Sequence, residues 1–185
     1  MMEYKKIIFC DSDVLFLGSI KGVLKSETAL VACPDASFFR GNSRNRDTFV
    51  ETKEQGILET FNAGLMVINT PLVDKDVFNT LLSYLDERVW QYVKTEHTDQ
   101  FVLNKYFEGN VTQIPCRYNF LLGFSELFKK QTGVLPQEAL VLHFNGSLKP
   151  WRAELSLKKL ASIDEDMLWA INEWKTEAKR LGVSL

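Results

Sequence analysis

Ile7-Ile8-Phe9-Cys10-Asp11-Ser12-Asp13 decides the reading of this chain: a β-branched and aromatic run that stops abruptly at two acids. A short apolar run bounded by polar punctuation reads as a buried strand, and acids at its end put the strand end at a cleft. Working outward, a second apolar run, Leu65 to Ile68, ends at Asn69-Thr70-Pro71, and Val77, Phe78, Leu81, Leu82 and Leu85 follow at helical spacing. Thr98 reads as the N-cap of a helix carrying Phe101, Val102, Leu103, Tyr106 and Phe107, with Asp99 and Gln100 in its first turn. A further strand, Ala139 to Leu142, delivers His143. The tail predicts a helix with a capping box at Ser162 and Glu165, then Met167, Leu168, Ile171, Trp174, Ala178 and Leu181, and Gly182 just past its end. Residues 34 to 56 are polar and rich in Gly, Asn and Ser, which predicts a long surface excursion with one short helix near Thr48 to Glu54. Strands alternating with helices predict an α/β fold with a largely parallel or mixed sheet.

The chain has 185 residues, 45% of them apolar, and 22 Lys plus Arg against 24 Asp plus Glu give a net charge of −2. That length predicts a single domain over residues 1–185 with a proper core. The near-neutral balance supplies no basic stripe for a phosphate backbone, so no nucleic-acid partner is expected, and no polybasic membrane anchor either. Three cysteines, Cys10, Cys33 and Cys116, are odd in number and lack a CxxC spacing, so they read as free thiols in a reducing compartment. No apolar run approaches the ~20 residues of a membrane helix, and the run after Met1 is too short for a signal peptide. A cytoplasmic protein without a transmembrane segment is expected.

Asp11 and Asp13 place two carboxylates at one strand end, and hard oxygen ligands suit Mg²⁺ or Mn²⁺ holding a diphosphate. Taken alone, the same pair serves equally as a polar strand end or helix cap. His143, one of two histidines, reads either as a hydrogen-bonded structural group or as a ligand. Its neighbours Phe144-Asn145-Gly146-Ser147-Leu148-Lys149-Pro150-Trp151 include Gly146, where backbone can approach a ligand closely, and Lys149, whose charge can meet a phosphate.

Five segments follow one another in order: IIFCDSDVLF from Ile7, FNAGLMVIN from Phe61, TDQ from Thr98, IPCRYN from Ile114 and HFNGSLKPW from His143. The series resembles glycosyltransferase family 8, the group of glycogenin and the lipopolysaccharide galactosyl- and glucosyltransferases. The resemblance implies a GT-A-like (Rossmann-like) fold, a mixed sheet with flanking helices. It implies a retaining enzyme that moves a hexose, glucose or galactose, from a UDP-sugar to a hydroxyl of a saccharide or lipid-linked saccharide acceptor. A role in surface polysaccharide synthesis, at the inner membrane face, follows by association. By the same resemblance Asp11, Asp13 and His143 would hold Mn²⁺ or Mg²⁺, and Lys149 would help the leaving diphosphate. Gly146 would belong to the turn that packs against that diphosphate, and Asn62 and Ala63 would bind sugar or acceptor. Asp99 would hold hydroxyls of the transferred sugar, and Gln100 would lie near the anomeric carbon, offering its dipole to an oxocarbenium-like centre.

One departure from that family stands at the front. There, a nucleotide-binding half precedes the acid-bearing strand, whereas here Asp11 comes after ten residues. The chain is therefore expected to be an N-terminally incomplete fold, the C-terminal part of such a domain, with an apolar sheet edge at Ile7 to Cys10 open to self-association or a partner chain. The alternatives are an inactive truncated remnant that binds a sugar or a protein, and a haloacid dehalogenase-like phosphatase with Asp11 as nucleophile and Asp13 as acid/base. The last would need an acidic pair at another strand end, and no Asp-Asp pair occurs in the sequence.

Overall fold

The computed structural model describes residues 4–36, 60–85, 98–152 and 163–183. The short helix expected near Thr48 to Glu54 lies outside these residues. The chain forms two compact units, one of residues 1–11 and 20–115, the other of residues 12–19 and 116–185.

The first unit is built on a four-stranded sheet in the order β1-β4-β3-β5, with β1 at Lys6–Cys10, β3 at Leu30–Pro34, β4 at Phe61–Asn69 and β5 at Val111–Gln113. β4 runs antiparallel to both β1 and β3, while β5 joins β3 in parallel, so the sheet is mixed. The apolar run alone placed a strand only at Leu65 to Ile68. The observed β4 starts at Phe61, because Pro34 on β3 pairs there across a register shift. Asn62, Ala63 and Gly64 lie beyond the last β1 pair and inside the β3 register shift, where Asp11 N–H bonds Gly64 O and Ala63 N–H bonds Gln100 Oε1.

Leu30, Ala32, Phe61, Ala63, Met66 and Phe107 form the core of this unit. α1 at Val77–Ser83 forms where the spacing predicts it, yet Phe78, Leu82 and Leu85 stand exposed. α2 at Thr98–Tyr106 puts Phe101 and Val102 in the interior. Its buried Asn104 acts as a surrogate strand neighbour: Phe61 N–H donates to Asn104 Oδ1 at 2.9 Å, and Asn104 Nδ2 donates to Phe61 O at 2.9 Å. The start of β4 is thus supplied with bonds that burial would otherwise leave unmade.

The second unit carries a three-stranded sheet in the order β2-β7-β6, with β2 at Val14–Phe16, β6 at Phe120–Leu121 and β7 at Val141–His143. β2 pairs antiparallel and β6 parallel with β7. The strand expected over Ala139 to Leu142 sits later, because Pro136–Glu138 turns in a 3-10 helix and its bonds run into Ala139. His143 is consequently the last residue of β7 rather than the first beyond it.

α3 at Ser125–Thr132 ends on Gly133, whose φ of 73° is the left-handed C-terminal conformation. Phe128 of α3 meets Phe120 edge to face at 5.6 Å. α4 at Glu165–Arg180 corrects the predicted cap: the helix starts at Glu165, and Asp164 caps it by accepting from Met167 N at 2.7 Å. The predicted partner, Ser162, lies outside the described residues. An acid immediately before the first helical turn both satisfies a free N–H and meets the positive end of the helix dipole. The other end follows the expectation, with Gly182 N–H donating to Lys179 O and Val183 N–H to Ala178 O, the paired bonds of a Schellman motif.

Asp166 ties α4 to α3. Its Oδ2 accepts from Ser125 Oγ at 2.6 Å and from Lys129 Nζ at 2.6 Å, and Lys129 also meets Glu126. Burial pushes the Asp166 carboxyl up, but the bonds from Lys129 and Ser125 outweigh it and hold the group below the usual range. The same contacts, Asp166 first, hold Lys129 above the usual ammonium range. Asp166→Asn is therefore expected to destabilise the protein by about 1–3 kcal/mol at pH 7. A lowered native pKa stabilises above the unfolded value of about 3.9 and is lost as pH falls through the native value. Denaturant titrations at pH 7 and pH 3 should accordingly show the variant losing less stability on acidification than the parent.

Candidate metal and donor site

The chain leaves β1 at Asp11, whose N–H donates to Gly64 O at 2.9 Å, and enters β2 at Val14 after a two-residue turn. In the β2–β7 register Val14 lies opposite His143, and Asp13 O accepts from Phe144 N–H at 2.9 Å. The strand pairing therefore sets Asp13 beside His143, although the two are far apart in sequence. His143 Nε2 stands 3.2 Å from Asp13 Oδ1. The other carboxylate oxygen, Oδ2, accepts from Lys149 Nζ, which also donates to Phe144 O.

Asn119 orients the imidazole. It is fully buried at the head of β6, and its Oδ1 lies 3.1 Å from His143 Nδ1. An amide oxygen only accepts, so Nδ1–H donates to Asn119 and Nε2 is the ring atom turned toward Asp13. In the neutral ring Nε2 offers its lone pair on the side of Asp13 Oδ1, where a cation between the two would be held by both. Two ligands each about 2.1 Å from an octahedral cation, at right angles, are about 3.0 Å apart, close to the 3.2 Å found here. Asp11, two peptide bonds from Asp13, completes the set: Asp11, Asp13 and His143 each offer one ligand atom, all within 4.8 Å of one another. The donor set, two carboxylates and one imidazole, fits Mn²⁺ or Mg²⁺ with positions left for diphosphate oxygens.

Within the first unit, Gln100 meets Asn62 and Ala63. Asn62 Nδ2 and Ala63 N–H both donate to Gln100 Oε1 at 3.2 Å, Asn62 Oδ1 accepts from Gly64 N–H at 2.9 Å, and Asn62 Nδ2 also reaches Asp35 Oδ1 at 3.5 Å. The carbonyl end of the Gln100 dipole thus points at the start of β4. Asn104, one turn on, donates to Gln100 O at 2.9 Å and holds that turn. Asp99 is exposed in the first turn of α2. Gly146 has a φ of 95°, and a Cβ there would meet nothing within 4 Å, so backbone conformation rather than crowding calls for glycine. Gly123 is the tighter case: its N–H donates to Asn145 Oδ1 at 2.8 Å, and a Cβ would meet Asn145 at 3.0 Å.

Asn104, Asn119, Asn145 and Asp35 were missed as site-building residues. Their signal was faint but present, since Asn104, Asn119 and Asn145 each stand beside apolar residues, where a buried amide must find partners or be costly.

The mixed sheets with flanking helices make this an α/β chain of the GT-A glycosyltransferase class. The crystal structure of galactosyltransferase LgtC in complex with donor and acceptor sugar analogs matches it with a TM-score of 0.71 at 20% identity, over 97% of this chain and 63% of that one. The glycosyltransferase GlyE of Streptococcus pneumoniae TIGR4 matches with a TM-score of 0.59 at 22% identity, over 96% of this chain and 43% of that one.

The sequence pattern of Glycosyl transferase family 8 covers residues 1–154, and the chain belongs to that family. In sequence, GlyE of S. pneumoniae serotype 4 is 25% identical over 182 residues, 91% of this chain and 40% of GlyE. GlyB of the same organism is 26% identical over 166 residues, 81% of this chain and 35% of GlyB. The chain thus spans less than half the length of these curated relatives. Family membership sets the phosphatase alternative aside. Among the described residues, no helix is long and apolar enough to cross a membrane.

Asn119→Leu should leave His143 Nδ1 without its acceptor, destabilise the protein by about 1–3 kcal/mol and release the tautomer. Long-range ¹H–¹⁵N correlation spectra at pH 7.5 are expected to show the Nδ1–H form of His143 in the parent and a tautomer mixture in the variant.

Proposed function

We propose that this chain carries the metal and donor site of a retaining transferase that moves a hexose, glucose or galactose, from a UDP-sugar to a hydroxyl of a saccharide or lipid-linked saccharide. It supplies the part of a GT-A domain that runs from the acid-bearing strand β1 onward. The observation that carries this reading is the cluster of ligand atoms of Asp11, Asp13 and His143 within 4.8 Å of one another, with Asn119 Oδ1 on His143 Nδ1 turning Nε2 toward Asp13. The LgtC structure, complexed with donor and acceptor sugar analogs, supports sugar substrates for this family member.

In this reading Asp11, Asp13 and His143 hold the divalent cation, Mn²⁺ or Mg²⁺, which when bound neutralises the diphosphate as it departs. Lys149, already beside Asp13, directs its ammonium toward the same phosphate oxygens. Gly146, with its open left-handed turn, lets backbone approach the diphosphate. Asn62 and Ala63 bind sugar or acceptor at the start of β4, and exposed Asp99 accepts hydroxyls of the transferred sugar. Gln100, with its carbonyl committed to Asn62 and Ala63, positions that corner next to the anomeric carbon.

The acceptor hydroxyl attacks C1 on the face from which the diphosphate leaves. The C1–O bond to phosphate breaks with its electron pair on the phosphate oxygen, and the acceptor proton passes to that oxygen, so configuration is retained without a protein nucleophile. A cytoplasmic site of action accords with three free thiols, and action at the inner membrane face in surface polysaccharide synthesis is proposed from the family resemblance.

Calorimetric titration of the chain with UDP-glucose and UDP-galactose, with and without Mn²⁺, tests this reading. One donor is expected to bind only with the metal, and Asp13→Asn to weaken that binding by about 10–100-fold. Metal-independent binding, or none, would overturn it.

A further inference from the structure

β6 and β7 stop together. Leu121, the last residue of β6, lies opposite His143, the last of β7, and the same register two residues on sets Gly123 opposite Asn145. There the two chains are still joined, but by a side chain: Gly123 N–H donates to Asn145 Oδ1 at 2.8 Å. The amide oxygen takes the place of the carbonyl that a continuing strand would present. Asn104 Oδ1 does the same for Phe61 N–H in the other unit.

Gly123 is fitted to this partner. Its φ lies outside the left-handed region, so backbone conformation does not call for glycine, and lack of room does. A Cβ there would stand 3.0 Å from Asn145 Nδ2, 3.0 Å from Asn145 O and 3.2 Å from Asn145 Oδ1. The backbone oxygen cannot swing aside as a side chain can. Gly123 is exposed and Asn145 half-buried, so this contact sits at the surface and is a modest contributor to global stability.

Beyond Asn145 the chain turns at Gly146, with a φ of 95°, and comes back at once: Lys149 Nζ bonds both Asp13 Oδ2 and Phe144 O. The direction in which the chain leaves β7 therefore sets where Lys149 returns. We propose that Asn145 is a positioning residue which, through Gly123, fixes the start of the turn 145–149 and so holds Lys149 beside Asp13. The consequence for substrate rests on the donor-site reading above, in which Lys149 meets the diphosphate. The candidate metal ligands Asp13 and His143 are placed by other means, the β2–β7 register and Asn119. Loss of the Asn145 contact is thus expected to separate diphosphate binding from metal binding.

Backbone ¹⁵N relaxation of the ligand-free chain tests the contact directly. Residues 146–149 are expected at order parameters of about 0.85 in the parent and below about 0.6 in Asn145→Ala, with an unchanged circular dichroism spectrum. Asn145→Asp should stay near the parent, because its carboxylate still accepts from Gly123 N–H, and Gly123→Ala should behave as Asn145→Ala does. Calorimetry reads the consequence. Mn²⁺ alone should bind parent and Asn145→Ala within a factor of about two, while UDP in the presence of Mn²⁺ should bind Asn145→Ala roughly tenfold more weakly, the scale of one lost charge-assisted bond. Added to Lys149→Met, which removes the group being positioned, Asn145→Ala should cost no more than about twofold further. Unchanged order parameters in Asn145→Ala, equal losses of Mn²⁺ and UDP affinity, or a full tenfold loss on top of Lys149→Met would overturn the proposal. A turn that loosens as expected in a chain whose parent binds no UDP would overturn the donor-site reading instead, and with it the link from Asn145 to the diphosphate.

Discussion

The proton on His143 Nδ1 is the constraint on which the candidate site depends. Asn119 Oδ1 fixes it there, in an interior where the Asn119 side chain has no exposed surface. With Nδ1 turned to Asn119, Nε2 is the ring atom that faces Asp13 Oδ1, at 3.2 Å. The strand pairing prevents the two from moving apart, because Asp13 O is bonded to Phe144 N–H and Val14 is in register with His143. The backbone geometry thereby holds the ligand atoms of Asp13 and His143 together. Lys149 bonds the other carboxylate oxygen, Asp13 Oδ2.

A second amide does comparable work in the other unit. Asn104 bonds both backbone groups of Phe61 and also the carbonyl of Gln100. One side chain therefore fixes the start of β4 and the first turn of α2 together, and with them the contact of Gln100 with Asn62 and Ala63. Buried amides suit this task because each presents a donor and an acceptor at backbone spacing. An apolar residue of similar size would leave those partners unsatisfied at about 1–3 kcal/mol each.

The elements easiest to read in the sequence were those with strong local signals. The apolar run before Asp11 is β1, the spacing after Met167 is α4, and Gly182 closes that helix in a Schellman motif. The less legible ones depended on neighbours. β4 reaches back to Phe61 because β3 pairs with it there, which Asn62-Ala63-Gly64 does not announce. The cap of α4 passed to Asp164 because the residue adjoining the first turn is best placed to accept from it. Phe78 and Leu82 carry helical spacing, yet spacing states a face and not what covers it.

The sequence by itself determined the residue types and their order: acids at a strand end, a histidine after an apolar run, a glycine-bearing turn and the lysine beyond it. That order sufficed to place the chain in its family, because motifs in series are read along a line. Tertiary structure alone decided which of those groups touch and which proton sits where. Asn119, Asn104 and Lys149 acquire their roles only through contacts made across the fold, and hydrogen-bond direction is a property of paired atoms that no single position carries.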